Sequence, residues 1–257
     1  MILCLDVGNS QIHAGVFDGE QLICQFRKKS SAENSSDELG VFLRAVLREN
    51  GIDPAAISAT AICTVVPAGL YSLRAACVKY FGQPPFVLQA GVKTGLKIRY
   101  KNPQEVGADR IANAIAAAEL FPQQNRIVVD FGTATTCDVI TANNDYLGGA
   151  IMPGLKLSMH ALQAGTAKLA AVEIIKPPGA LGQTTAGSIQ SGLYFGHLHA
   201  LSGLLRRLRQ EAFGQQPATV IGTGGLARLF AEDGLFDHEV PDLVLTGLRL
   251  AFAKNRE

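Results

Sequence analysis

Cysteine is scarce and unpatterned in this chain. Cys4, Cys24, Cys63, Cys77 and Cys137 are odd in number, scattered and never arranged as C-x-x-C. That excludes a disulfide framework and a zinc knuckle, and reduced thiols in a cytoplasm are the simple expectation. Long apolar runs are also missing, and none approaches the length of a membrane span. Asp6 arrives after only five residues with no basic region before it, so no secretory signal is expected. Charge of one sign is not in excess: a net charge of +1 gives no reason to expect nucleic acid or a membrane as partner. Neither a helix-turn-helix nor a basic stripe is present. The five histidines, His13, His160, His197, His199 and His238, are dispersed. His197-x-His199 lies in a helical stretch, where i and i+2 do not share a face, so zinc is not expected there. No G-x-x-x-x-G-K-[ST] occurs, which excludes a Walker-type ATPase at motif level.

What is present centres on Val128-Val129-Asp130-Phe131-Gly132-Thr133-Ala134-Thr135-Thr136. A β-branched run leads into a carboxylate, a glycine and hydroxyl residues, then a second β-branched run. This reads as strand, tight turn, strand, with Gly132 supplying the turn's backbone freedom. Main-chain amides and hydroxyls at such a turn suit phosphate oxygens, and the carboxylate suits a cation. By itself the stretch also reads as a hairpin with an Asx-type turn. The same device, however, opens the chain as Leu5-Asp6-Val7-Gly8-Asn9-Ser10. One phosphate turn at the head of each half indicates an internal duplication. Two such turns facing across a cleft resemble the plan of the actin, sugar-kinase and Hsp70 superfamily. An apolar content of 47% is ample for two cores.

The order of elements supports the duplication. Strands are expected at Ile2–Asp6, His13–Phe17 and Gln21–Arg27, the last two joined by the hairpin signal Asp18-Gly19. Ser35-x-x-Glu38 is a capping box. Leu39, Phe42, Leu43, Val46 and Leu47 follow at helical spacing, and Gly51 ends the helix. A strand over Ala59–Val66, a helix from about Gly69 to Phe81 and a short strand at Phe86–Leu88 complete βββαβαβ. The second half repeats it. Strands are expected at Arg126–Asp130, Thr136–Ala142 and Tyr146–Met152, with a turn at Asn143-Asn144. A helix over Thr185–Glu211, a strand at Ala218–Ile221 and helices at Leu226–Glu232 and Val244–Asn255 follow. An alanine-rich connecting helix covers Asp109 to Phe121. The domain boundary is placed between residues 117 and 118, giving domains 1–117 and 118–257.

Two further segments carry chemistry. Gly222-Thr223-Gly224-Gly225 fits the loose G-x-G-x-x-A pattern through Ala227. Too little chain remains beyond it for a Rossmann unit, which leaves an adenosine contact or a plain helix-entry turn. In Glu105-Val106-Gly107-Ala108-Asp109-Arg110, Asp109 reads either as a helix cap or, with Arg110, as a grip on a polar substrate. Arg206-Arg207-Leu208-Arg209 is a solvated helix face near the helix C-terminus.

Nearly end to end, the chain resembles type III pantothenate kinase. The motifs that carry the likeness are Asp6-Val-Gly-Asn-Ser10, Glu105-Val-Gly-Ala-Asp-Arg110, Asp130-Phe-Gly-Thr-Ala-Thr-Thr136 and Gly148-Gly-Ala-Ile-Met-Pro-Gly154. Leu181-Gly-Gln-Thr-Thr185, Ser191-Gly192 and Thr223-Gly-Gly225 continue it. Ser10 stands where threonine is usual, and Ala170 where proline is usual. The resemblance implies an α/β fold of two duplicated actin-like (ribonuclease H-like) βββαβαβ domains facing across a nucleotide cleft. It also implies a homodimer and ATP-dependent phosphorylation of pantothenate, the first step of coenzyme A synthesis, with Mg²⁺ and a monovalent cation, K⁺ or NH₄⁺.

Carried over by residue, the likeness gives Asp6, Val7, Gly8, Asn9, Ser10, Gln11, Ile12 and His13 to the first ATP-phosphate turn, with Asp6 near Mg²⁺. Thr133 meets the ATP phosphates and Asp130 holds the monovalent cation. Tyr100, Gly107, Ala108, Asp109, Arg110 and Thr185 bind pantothenate, and Asp109 takes the proton from its hydroxyl. Other readings are a different small-molecule phosphotransferase of the same superfamily, and a non-enzymatic regulator of transcription.

Overall fold

The computed structural model describes residues 1–31 and 33–256. They divide into two compact units. One holds Met1–Leu96, Lys101–Ala116 and the stretch from Leu243, and the other holds Lys97–Tyr100 and Ala117–Asp242.

In the first unit, β1 (Ile2–Val7), β2 (Gln11–Asp18) and β3 (Gln21–Lys29) form an antiparallel meander. Gly19, at positive φ, turns β2 into β3, as Asp18-Gly19 foretold. The capping box forms in full. The Glu38 N–H donates to Ser35 Oγ at 3.2 Å, and the Ser35 N–H donates to Glu38 Oε2 at 2.7 Å. It starts α1 (Ser36–Glu49), which buries Leu39, Leu43 and Leu47. β4 (Ala59–Thr64) lies parallel to β1; α2 (Pro67–Phe81) and β5 (Phe86–Val87) follow. α2 starts at Pro67 rather than near Gly69, because proline at the first helical position costs no hydrogen bond and presets φ. Leu3, Leu5 and Val7 of β1 meet Leu39, Leu43 and Leu73 in the core. The strand order is β3-β2-β1-β4-β5, so β1 is central. Its register sets Asp6 between His13 on β2 and Cys63 on β4.

β6 (Lys97–Ile98) belongs to the second sheet, and α3 (Ala108–Leu120) begins in the first unit and ends in the second. The second unit then repeats the meander with β7 (Asn125–Phe131), β8 (Ala134–Ile140) and β9 (Asp145–Pro153). Asn144, at φ +62°, makes the expected turn between β8 and β9. The fully buried Arg126 braces that turn by donating to the Thr141 carbonyl and to Asn144 Oδ1, and it also reaches the Phe121 carbonyl. A buried cation is tolerable only with such hydrogen bonds.

α4 (Leu155–Ala164), α5 (Thr185–Phe213), β10 (Ala218–Thr223) and β11 (His238–Glu239) complete the unit. Strand order is β11-β10-β7-β8-β9-β6. Apart from β6, added beyond β9, both sheets have the same order, with β10 parallel to β7 as β4 is to β1. The duplicated βββαβαβ plan is therefore the observed one. Residues Ala227–Asp233 wind as a 3₁₀ helix rather than an α-helix. The last helix, α6 (Leu243–Lys254), packs against β1 and β4. A boundary at residue 117 would place α6 in the second half, whereas it belongs to the first unit.

Candidate active site

In the first unit the site begins at the end of β1. The Gly8 N–H donates to the Gln11 carbonyl at 3.0 Å and closes the turn that carries Asn9, Ser10 and Gln11 into solvent. The Ser10 carbonyl accepts from the Ser30 N–H at 3.0 Å, tying the turn to the end of β3. Val7 and Ile12 are buried beneath it, and His13 faces Gln25 at 3.4 Å. Asp6 is half-buried, and the Cys63 thiol donates to its Oδ1 at 3.2 Å.

The Gly107–Arg110 segment opens α3. Asp109 lies inside the first helical turn, since α3 starts at Ala108; it is not the residue preceding the helix that a cap would be. Its Oδ1 accepts the Arg110 N–H at 2.8 Å. The absence of a side chain at Gly107 gives the carboxylate room: a Cβ would lie 2.5 Å from Asp109 Oδ1, which would have to move. The missing side chain is the space in which the carboxylate sits.

Burial raises the Asp109 pKa above the usual carboxylate value, while the Arg110 amide and guanidinium partly offset it. Burial also pushes the Cys63 thiol up, and the charge of Asp6 adds to this, followed by that of Asp109. One buried thiol thus feels both carboxylates. That places Asp6 and Asp109 in a single electrostatic neighbourhood of the first unit. Arg110 is buried.

In the second unit, Asp130 is the last residue but one of β7, opposite Thr223 on β10 and Thr136 on β8. Gly132 does not adopt positive φ, contrary to the expectation from the motif. The special backbone is at Gly224, with φ +89°. A Cβ there would run into Asp130 Oδ1 and lie 2.7 Å from the Phe131 nitrogen. Backbone approach to the carboxylate is therefore what Gly224 supplies. Thr133 is exposed, and its carbonyl accepts the Gly154 N–H at 3.1 Å. Beneath this turn, Thr135 Oγ1 and His197 Nε2 meet at 3.0 Å, both buried. Burial lowers the His197 pKa.

Tyr100 follows β6 and rests on β9, its ring tilted against Tyr146 at 6.5 Å. Thr185 is the exposed first residue of α5, and the preceding Thr184 caps that helix by accepting the Gly187 N–H at 3.0 Å. Asp6 and Asp109 thus share one unit, and Asp130, Thr133, Tyr100 and Thr185 belong to the other.

Sequence reasoning missed Cys63, the Gly224–Asp130 approach and the buried His197–Thr135 pair. Gly222–Gly225 had offered a signal for the second. The others depend on strand register and helix packing, which spacing does not encode. Among the described residues no group of three or more His, Cys, Asp or Glu gathers to hold a metal. Single carboxylates beside turns at strand ends fit the other mode, in which a hard cation takes one or two protein oxygens and completes its shell with phosphate and water.

The family model for type III pantothenate kinase matches residues 2–207. A relative from Legionella pneumophila strain Corby, named type III pantothenate kinase, is 58% identical over 255 residues, covering 99% of each chain. Among solved structures, a Campylobacter jejuni chain assigned to a Baf transcriptional-activator family has a TM-score of 0.58 at 20% identity, over 98% of both chains. A Porphyromonas gingivalis chain assigned as an N-acetylglucosamine kinase has a TM-score of 0.54 at 13% identity, over 100% of both. These two show the fold alone.

Proposed function

The chain belongs to the type III pantothenate kinase family, and from that premise we propose that it transfers the γ-phosphate of ATP to the primary hydroxyl of pantothenate, the first step of coenzyme A synthesis. The observation that carries this reading is Asp109: a half-buried carboxylate, raised in pKa by burial and seated in the space left by Gly107. A base with its pKa moved toward the working pH is better matched to a proton transfer.

Phosphoryl transfer asks chiefly for positioning and charge neutralisation. In the first unit, the Asp6–His13 turn offers amides and hydroxyls to ATP phosphates. Asp6 lies near the place Mg²⁺ would take, where the bound ion would neutralise phosphate charge. Asp109 accepts the hydroxyl proton, while Gly107, Ala108 and Arg110 hold pantothenate. In the second unit, Thr133 serves the phosphates and Asp130 holds K⁺ or NH₄⁺ with backbone oxygens. Tyr100 and Thr185 bind pantothenate. We place the working enzyme in the cytoplasm as a homodimer, and sedimentation of an active monomer at micromolar concentration would rule the dimer out. Among the described residues no helix is long and apolar enough to cross a membrane.

The test is an acceptor panel. ADP release should require pantothenate, fail with hexoses, and be high in K⁺ or NH₄⁺ but poor in Na⁺ at equal ionic strength. Release with a sugar but not with pantothenate would point to another phosphotransferase of the same fold. Equal rates in K⁺ and Na⁺ would remove the cation role from Asp130.

A further inference from the structure

The fully buried Asp138 on β8 has no part in the chemistry above, yet it faces the same side of its strand as Thr136. A carboxylate with no exposure is costly unless hydrogen bonds satisfy it. Here the Tyr146 hydroxyl donates to Asp138 Oδ1 at 2.6 Å and the Thr136 hydroxyl donates to Oδ2 at 3.2 Å. A hydroxyl–carboxylate bond of that length belongs to the strong, charge-assisted class. Tyr146 is itself fully buried, so its ring is fixed at both ends, by packing and by the carboxylate.

What that ring supports is Tyr100. The two rings are tilted at 51° with centroids 6.5 Å apart, within the range of a favourable aromatic pair. The other side of the contact is Gly148, at φ +117°, where a Cβ would sit 3.1 Å from Tyr100 Cε2. Tyr100 therefore rests on a bare backbone and one locked aromatic face. Asp138 also connects, through Thr136, to the position opposite Asp130 in the β7–β8 register.

We infer that Tyr146 and Asp138 are positioning residues that hold the Tyr100 ring in place for the acceptor, and so set acceptor affinity. The inference rests on the proposed role of Tyr100 in pantothenate binding. A group two contacts away acts here by preorganisation: a ring already held in its bound orientation loses less freedom when the ligand arrives. Removing the hydroxyl of Tyr146 leaves the ring volume but frees its tilt, and the loss should fall on pantothenate and not on nucleotide.

The experiment is calorimetric titration of the full chain with pantothenate and, separately, with a non-hydrolysable ATP analogue. Wild type, Tyr146→Phe, Asp138→Asn, Tyr100→Ala and the double variant Tyr100→Ala/Tyr146→Phe are compared, with melting temperatures recorded. Tyr146→Phe should weaken pantothenate about tenfold, a 1.4 kcal/mol effect, and leave the ATP analogue within twofold. Asp138→Asn should act in the same direction. In the Tyr100→Ala background Tyr146→Phe should add nothing, a non-additivity that a merely structural role would not produce. Equal weakening of both ligands, unchanged pantothenate affinity, or full additivity would overturn the inference. Loss of fold in both Tyr146→Phe and Asp138→Asn would also overturn it, by making the pair core scaffolding. Absence of pantothenate binding to the wild type would instead refute the proposed function, a separate outcome.

Discussion

Replacing Asp109 by asparagine separates chemistry from structure more cleanly than any other change in this chain. Asn is nearly isosteric, and its side-chain oxygen can still accept the Arg110 N–H that Asp109 Oδ1 takes at 2.8 Å. It cannot take a hydroxyl proton at neutral pH. Turnover should therefore fall by ~10²–10⁴-fold, the scale of a lost general base. Stability should move the other way or not at all. Burial raises the Asp109 pKa in the folded chain, so the folded state holds that proton more tightly than the unfolded one. The stabilising contribution is fully present below the unfolded value and is lost as pH rises through the folded value. At neutral pH the charge opposes folding, and Asn removes the penalty. Against this stands the loss of an acid in the first turn of α3, worth about 0.3–1 kcal/mol near a helix N-terminus. The two effects oppose each other, so the melting temperature at pH 7.5 should change little. Any gain should shrink as pH falls toward 4, the ordinary carboxylate value. Steady-state kinetics, nucleotide affinity and calorimetry on one preparation decide it. Wild-type turnover, or a large drop in melting temperature with turnover lost in proportion, would refute the reasoning.

Gly224→Ala tests the second phosphate turn. A Cβ would run into Asp130 Oδ1 in a backbone already at φ +89°, so the concentration of K⁺ for half-maximal rate should rise by about tenfold, about 1.4 kcal/mol of lost binding. An unchanged K⁺ requirement in a folded variant would show that Asp130 does not hold the cation. His197 gives an acid-side prediction. Burial lowers its folded pKa, so the stability it confers is full above the unfolded value of about 6.5 and is lost as pH falls from there through the folded value. Between pH 7.5 and 5.5 the wild type should lose more melting temperature than His197→Gln, which can still bond Thr135 but does not titrate. Parallel losses would assign the acid sensitivity elsewhere.

Much of this fold was legible because local chemistry and tertiary structure agree. Ser35 and Glu38 cap α1 as their spacing requires. The apolar β1 and β7, in the middle of their sheets, each carry an aspartate one residue before the strand ends. The failures share a cause, which is that the deciding contact comes from a distant segment. α4 follows a glycine motif, directly after Pro153-Gly154, in a stretch where no element is expected from the sequence. α6 has ordinary helical periodicity, and nothing in its residues says that it returns to β1. Gly132 looks like the strained position of its motif, yet the strain sits at Gly224, just past a strand that arrives after α5. Asp109 was singled out from its motif, but its place inside the first turn depends on where α3 starts. Cys63 reached Asp6 only through the β1–β4 register across the α1 crossover, which no count of residues predicts.

Direct detection of the product tests the central claim. The purified chain is incubated with ATP, Mg²⁺, K⁺ and pantothenate, and the acceptor is followed by mass spectrometry and ³¹P NMR. The account predicts a single new phosphomonoester on the primary hydroxyl of pantothenate, formed in step with ADP by the wild type and almost abolished in Asp109→Asn. Unmodified pantothenate after prolonged incubation with folded protein, or ADP formed without phosphopantothenate, would contradict it.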